Sequence, residues 1–208
     1  MTYNSMKLLY LVSCICMALV ILSPTLTIIV GSLEMPPLKE GFSELYLLGP
    51  GGLAYGYPFT VSKGTRYSVT FGVGNQMGSP QYYRVYAKLS NQTEPLPNVK
   101  TRTPSSLPPL LEYRLVLGDG RNREQTVTFS LEEVLFAIVE NVSERFCRLT
   151  RFKIDDHILT FNKGFSWDPA NRGFYCHLFF ELWAYEAATS TFQFHNRFVG
   201  IWLNMTRA

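Results

Sequence analysis

Two hydrophobic patterns divide this 208-residue chain. Residues 8–30 form an apolar run without a charge, LLYLVSCICMALVILSPTLTIIV. At about 1.5 Å per helical residue it is long enough to cross a hydrocarbon layer of about 30 Å. Pro24 lies within it, where it kinks a helix and frees a carbonyl for the hydroxyls of Ser23 or Thr27. Lys7 precedes the run, and Glu34, Lys39, Glu40 and Glu44 follow it, a bias that places the N-terminus in the cytoplasm and the rest outside. A cleaved signal peptide is the rival reading, with a cleavage region at 25–32, but its apolar stretch normally runs about 7 to 15 residues. A lipoprotein box at Leu11-Val12-Ser13-Cys14 would have too short an apolar lead. The pattern predicts a cytoplasmic tip and anchor at 1–33, a linker at 34–41 and an outer domain at 42–208.

Beyond the linker the apolar period becomes two, the mark of half-buried strands. Tyr67, Val69, Phe71 and Val73 alternate with polar or small residues, and after a turn at 75–80 so do Tyr83, Val85, Ala87 and Leu89, which predicts a hairpin. Residues 91–109 hold five prolines and many hydroxyls, the composition of a long surface loop. A second hairpin is predicted from Tyr113, Leu115 and Leu117, the turn Gly118-Asp119-Gly120, and Val127, Phe129 and Leu131. Ser130-Leu131-Glu132-Glu133 has capping-box spacing. Leu131, Val134, Leu135 and Ile138 recur at helical intervals, so this stretch reads as one short helix, the alternative being a continuous apolar strand. Residues 147–161 form a strand pair broken at Asp155-Asp156.

The last hairpin puts Phe174, Cys176, Leu178, Phe180, Leu182 and Ala184 on one face, and Tyr175, His177, Phe179, Glu181, Trp183 and Tyr185 on the other. Phe192 and Phe194 continue on even positions but Val199, Ile201, Leu203 and Met205 on odd ones, which predicts a β-bulge near 196–198. Short alternating strands without a strand–helix–strand rhythm predict an all-β, immunoglobulin-like antiparallel β-sandwich carrying one N-terminal transmembrane helix.

Composition fits one well-filled core: 47% hydrophobic, 14% aromatic and 17% charged residues. The net charge of +3 is spread along the chain, which argues against nucleic acid. Cys14 and Cys16 lie in the anchor. Cys147 and Cys176 fall on apolar strand positions, and an oxidising outer compartment favours a disulfide between them, two buried thiols being the other reading. Neither has a Cys or His at metal-ligand spacing, and no cofactor fingerprint is present. Asn91, Asn141 and Asn204 head N-glycosylation sequons. Tyr175, Phe179, Trp183, Tyr185 and Trp202 make an outward strand face too aromatic for plain solvent; it reads either as a binding surface for a protein partner or sugar, or as a face packed beneath the long loop. His157, His177 and His195 are scattered and the adjacent Asp155 and Asp156 would point to opposite faces, so no catalytic group assembles in sequence. A hydrolase would need Asp155, Asp156 or Glu181 to meet a histidine in a pocket.

Residues 43–58, SELYLLGPGGLAYGYP, followed by the strand ending Val73-Gly74-Asn75, resemble a family of archaeal membrane proteins catalogued as domain of unknown function 1616. That family is similar in its strand, Leu-Gly-Pro, small-residue turn, Tyr-Pro and β-hairpin, and it carries several membrane helices where this chain has one. The resemblance implies an archaeal envelope protein and brings no catalytic residues. The expectation is a non-enzymatic, membrane-anchored binding or structural module whose partners are the bilayer, envelope or membrane proteins, or surface glycan. The alternative is a noncatalytic accessory subunit of a membrane enzyme complex, such as one associated with glycosylation.

Overall fold

The computed structural model describes residues 7, 9–18, 40–139 and 144–207. The chain divides into two compact units, Met1–Glu40 and Gly41–Ala208. In the first, residues 9–18 are helical, and Leu9, Tyr10, Leu11, Val12, Ile15 and Met17 are exposed. Among the described residues no helix is long and apolar enough to cross a membrane. Most of the predicted span and linker lies outside the described residues.

The second unit holds strands β1 (Phe42–Leu48), β2 (Thr60–Ser62), β3 (Arg66–Gln76), β4 (Gln81–Ser90), β5 (Leu111–Leu117), β6 (Arg121–Val139), β7 (Glu144–Ile154), β8 (His157–Asp168), β9 (Gly173–Glu186) and β10 (Thr191–Thr206). They form two sheets. One runs β1-β3-β6-β7-β8 and the other β5-β4-β9-β10-β2, and they join at a corner where Trp167 and Asp168 of β8 pair with Phe174 and Gly173 of β9. Every pairing between the named strands is antiparallel except the short parallel contact of β2 with β10, and the isolated bridge of Lys63 to Leu131 is also parallel, exceptions to the antiparallel expectation.

The two inner faces meet in one aromatic-rich core. Phe71 of β3 packs 5.1 Å from Tyr113 of β5 and 5.2 Å from Phe180 of β9, ring centre to ring centre. Val69, Phe71, Val73, Tyr83, Val85, Ala87 and Leu89 are all buried, as their alternation predicts.

Two predicted hairpins are instead crossings between sheets. β3 pairs with β1 and β6, whereas β4 pairs with β5 and β9, so the turn at 75–80 carries the chain from one sheet to the other. The turn at 118–120 carries it back. Polar groups fasten these crossings together. The Asn75 amide donates to the Ser79 and Leu117 carbonyls, Gly120 N–H to the Asn75 carbonyl, and Gly78 N–H to the Asp119 carboxylate. Tyr83 adds its hydroxyl to Asn75 Oδ1 and shares a 2.6 Å bond with Ser43 inside the core. Alternation shows that a strand is half-buried; it does not show which neighbour it bonds.

The predicted helix at 130–138 is strand throughout, because residues 129–139 of β6 ladder with β7, while the preceding residues 121–130 pair with β3. Its register shifts between Leu131 and Val134. A bulge there spaces two inward residues three apart, which imitates the helical interval. Leu131 and Val134 are both buried and Leu135 is exposed.

The bulge in β10 falls between Phe194 and Arg197, with Asn196 at φ 57°. It leaves the faces in register. Phe192, Phe194, Phe198, Gly200 and Trp202 stand opposite Tyr185, Trp183, Glu181, Phe179 and His177, so the even positions face outward along the whole strand. The apparent switch of parity comes from an outer face as aromatic as the core.

Candidate functional site on the outer face of the second sheet

The five aromatic positions singled out from the sequence share the outer face of β9 and β10 but have three different environments. At the centre, Phe179 and Glu181 are fully buried. Glu181 lies 2.8 Å from the ammonium of Lys88 on β4, and both are nearly inaccessible. Ser105 of the proline-containing loop completes the group: its N–H donates to Glu181 Oε1 and its carbonyl accepts from Lys88 Nζ, each at 2.8 Å. A buried ion pair persists only if its remaining bonding capacity is met, and here loop backbone meets it. The loop at 91–110 is thereby fixed as a roof rather than left as a free connection.

Toward the turn of the hairpin, Trp183 donates its indole N–H to Glu181 and packs against Tyr86 and Phe194. Tyr185 packs with Tyr82 and Phe192, and the Arg84 guanidinium lies 3.8 Å over the Phe192 ring. These rings largely satisfy one another.

At the opposite end Tyr175 and Trp202 come together with Phe59, a residue that sequence reading missed because it stands alone before the short β2. These three line a cleft of about 410 Å³ with Gln92, Asp168 and Asn171. Phe59 is 53% exposed and Trp202 41%, whereas Tyr175 is 9% exposed and makes the floor. The Phe59 and Tyr175 ring centres are 6.0 Å apart. The Tyr175 hydroxyl donates to the Asn171 carbonyl at 2.6 Å. Asp168 accepts from the Asn171 side chain and from the Asn171 and Ala170 N–H groups, which holds its carboxyl below the usual range and keeps it ionised.

Trp202 is braced from behind. The His177 ring stacks 4.6 Å from it and 5.4 Å from Phe179. Space for that imidazole exists because residue 200 is glycine: a Cβ there would lie 2.7 Å from His177 Nε2 and 2.6 Å from Phe179 Cβ. Burial pushes the His177 pKa down to about 4, so the ring is neutral at pH 7, as an apolar stack requires.

Other candidate residues lie elsewhere. Cys147 and Cys176 are buried free thiols, so the disulfide read from the sequence is not formed. Burial pushes Cys147 up to about 12 and Cys176 higher still, with the neighbouring Cys147 adding to the latter. Both are therefore held in the protonated form, which does not undertake thiol–disulfide exchange. Asn91 is half-buried, its Oδ1 accepting from Thr93 and Glu94 N–H and its amide donating to the Gly164 carbonyl. Asn204 lies over Gly173 with a buried Oδ1 that has no partner among the described residues. Asn141 lies outside the described residues. Asp155, at the break of the strand pair, is fastened by the Tyr113 hydroxyl at 2.7 Å and the Thr128 N–H at 2.9 Å. Among the described residues no group of three or more His, Cys, Asp or Glu side chains could hold a metal ion.

Fold and cleft together define a two-sheet β module with an open aromatic cleft on its outer face. Residues 36–135 match the model of a family described as a domain of unknown function (DUF1616), the family that the Leu-Gly-Pro motif resembles. Phe59 and Gln92 fall inside the matched segment; Asp168, Tyr175 and Trp202 fall beyond it. A search of curated proteins returns no match. Among solved structures, the chain is similar to the CARDB domain of a Pyrococcus furiosus protein crystallised with di-metal ions. The identity is 8%, the match covers 84% of this chain and 96% of that one, and the TM-score is 0.39. It is also similar to a β-glucosidase from Listeria innocua, at 6% identity and TM-score 0.37, covering 81% of this chain and 16% of the enzyme.

Proposed function

We propose that this chain is a non-catalytic binding module of the cell envelope, anchored through residues 8–30, that presents an immunoglobulin-like β-sandwich outside the membrane. The observation that carries the reading is the contrast on one sheet face, where Phe179 is roofed and Trp183 and the partly exposed Tyr185 pack on neighbouring rings, whereas Phe59, Tyr175 and Trp202 line an open cleft. Exposed aromatic surface in a cleft with a few fixed polar groups is the signature of a recognition site. The non-catalytic part is supported by the engagement of the buried ionisable groups in the fold: Glu181 with Lys88 and the loop, Asp155 with Tyr113 and Thr128, and His177 in an aromatic stack. The membrane part is supported by the charge-free run and by the exposed Leu9, Leu11, Val12, Ile15 and Met17 of the described helix, for which lipid is a better solvent than water.

The test uses the full chain with a C-terminal epitope in intact cells. The epitope should be removed by added protease while the N-terminal fragment stays in the membrane pellet after alkaline extraction. A protected epitope, or a chain released by alkali, would overturn the anchored and outward-facing reading.

A further inference from the structure

We infer that the Phe59–Tyr175–Trp202 cleft binds a neutral saccharide, stacking the C–H face of a pyranose ring on Trp202 and bonding its hydroxyls to Asp168, Asn171 and Gln92. The inference rests on the binding-module reading and deepens it by naming the ligand class and the residues.

The lining selects for such a ligand on three grounds. Its rings come from the segment before β2, from β9 and from β10, and present negative π faces to which weakly positive C–H groups are attracted. Its polar side chains are two amides and one ionised carboxylate, which together offer the donors and acceptors that a ring of hydroxyls needs. A purely apolar ligand would bury the Asp168 carboxylate without a new partner, at considerable cost. Finally, no Lys or Arg is among the described residues that line the cleft, so a phosphate or an anionic lipid headgroup finds no opposite charge among them. The cavity at the β8–β9 corner differs on this point, since Arg172 and Arg207 line it. A volume of about 410 Å³ lies within the roughly 300–1,000 Å³ of small-ligand clefts.

The site is also rigid before binding. Trp202 is clamped by the His177–Phe179 stack, Tyr175 by its bond to Asn171, and Asp168 by three donors. A preformed site loses little side-chain freedom on association.

The experiment takes the full chain in a detergent without a sugar headgroup. Methyl α-mannoside, methyl β-glucoside, methyl β-galactoside, N-acetylglucosamine and cellobiose are each titrated to millimolar concentration. Saturation-transfer NMR reports which sugar protons lie against protein, and tryptophan emission reports saturation. At least one saccharide should give saturable transfer concentrated on its ring C–H protons. Trp202→Ala should weaken it about ten-fold or more, Trp202→Tyr should restore part of it, and Tyr185→Ala, in the mutually packed patch, should leave it unchanged. Absence of saturable binding by every saccharide overturns the proposal, as does binding that Trp202→Ala leaves intact. If no sugar binds but envelope proteins co-purify with the chain in a Trp202-dependent way, the saccharide is wrong and the binding module stands. If Trp202→Ala alters neither, both fall.

Discussion

The centre of the outer face of β9 and its Tyr175 end have the same strand parity and a similar aromatic character, yet one is sealed and the other open. At the centre a loop is pinned by a buried ion pair; at the end Phe59 and Trp202 stand partly in solvent over the buried Tyr175. Aromatic composition therefore does not decide whether a sheet face binds something else or its own chain. The polar partners between the rings decide it: a Glu and a Lys that draw in loop backbone at one place, and at the other a carboxylate that its own turn holds in place with acceptor capacity to spare.

That comparison is most directly broken at Glu181. Glu181→Ala strands the Lys88 ammonium in an inaccessible position and should cost about 3–5 kcal/mol in denaturant unfolding. It should also make the 91–110 loop sensitive to limited proteolysis. Replacing both partners by apolar residues of similar volume should recover most of the stability while the loop stays cleavable, which would separate the cost of the orphan charge from the pinning of the roof.

Gly200→Ala is next. The added methyl meets the Leu178 carbonyl at 2.7 Å as well as the two side chains behind Trp202, and overpacking of this kind costs about 1–3 kcal/mol. The tryptophan emission should move as Trp202 loses its backing, whereas Ala at Gly51, whose Cβ would meet nothing, should change neither quantity.

A smaller effect should appear on acidification. His177 takes up a proton near pH 6.5 when unfolded and near 4 when folded. Between those values the unfolded state binds more protons, so stability is full above about 6.5 and falls as pH drops toward 4. His195, lowered in the same direction by burial and by Arg197, adds to the slope. A total loss of about 1–3 kcal/mol is expected across that window. His177→Gln should flatten the curve, and an unchanged slope would show that the stack does not depend on a neutral imidazole. The smallest stability effect belongs to Trp202→Ala, below about 1.5 kcal/mol because only one partly exposed stacking contact is lost. It is paired with the largest expected loss of ligand binding.

Much of the architecture was legible in the alternation. Val69, Phe71, Val73, Cys176, Leu178 and Phe180 lie inside as their parity requires, and the β7–β8 and β9–β10 hairpins form where their turns stand. Partner choice was not legible, since the turn at 75–80 looks the same whether it folds back or crosses over. Bulges corrupted the period at Leu131–Val134, where strand passed for helix. The site was half legible: Tyr175 and Trp202 announced themselves by parity, but Phe59 and Gln92 reach the cleft only through tertiary folding. Cys147 and Cys176 illustrate a further limit, because apolar parity puts both inside without specifying whether they bond.

The pairing of Asn204–Thr206 with Thr60–Ser62 has a consequence for biogenesis. The final described strand closes the sheet against one laid down near the start of the domain, and β4 finds its inner neighbour only in β9. Until that late portion has been synthesised, early strands wait with unbonded edges and bare aromatic rows, a long-range arrangement that folds slowly and is prone to aggregate. On the proposed topology the strands next to the anchor would cross the membrane first and the domain would be complete only when its translocation is nearly over, so truncation within β10 should yield a species captured by chaperones rather than a shorter folded protein.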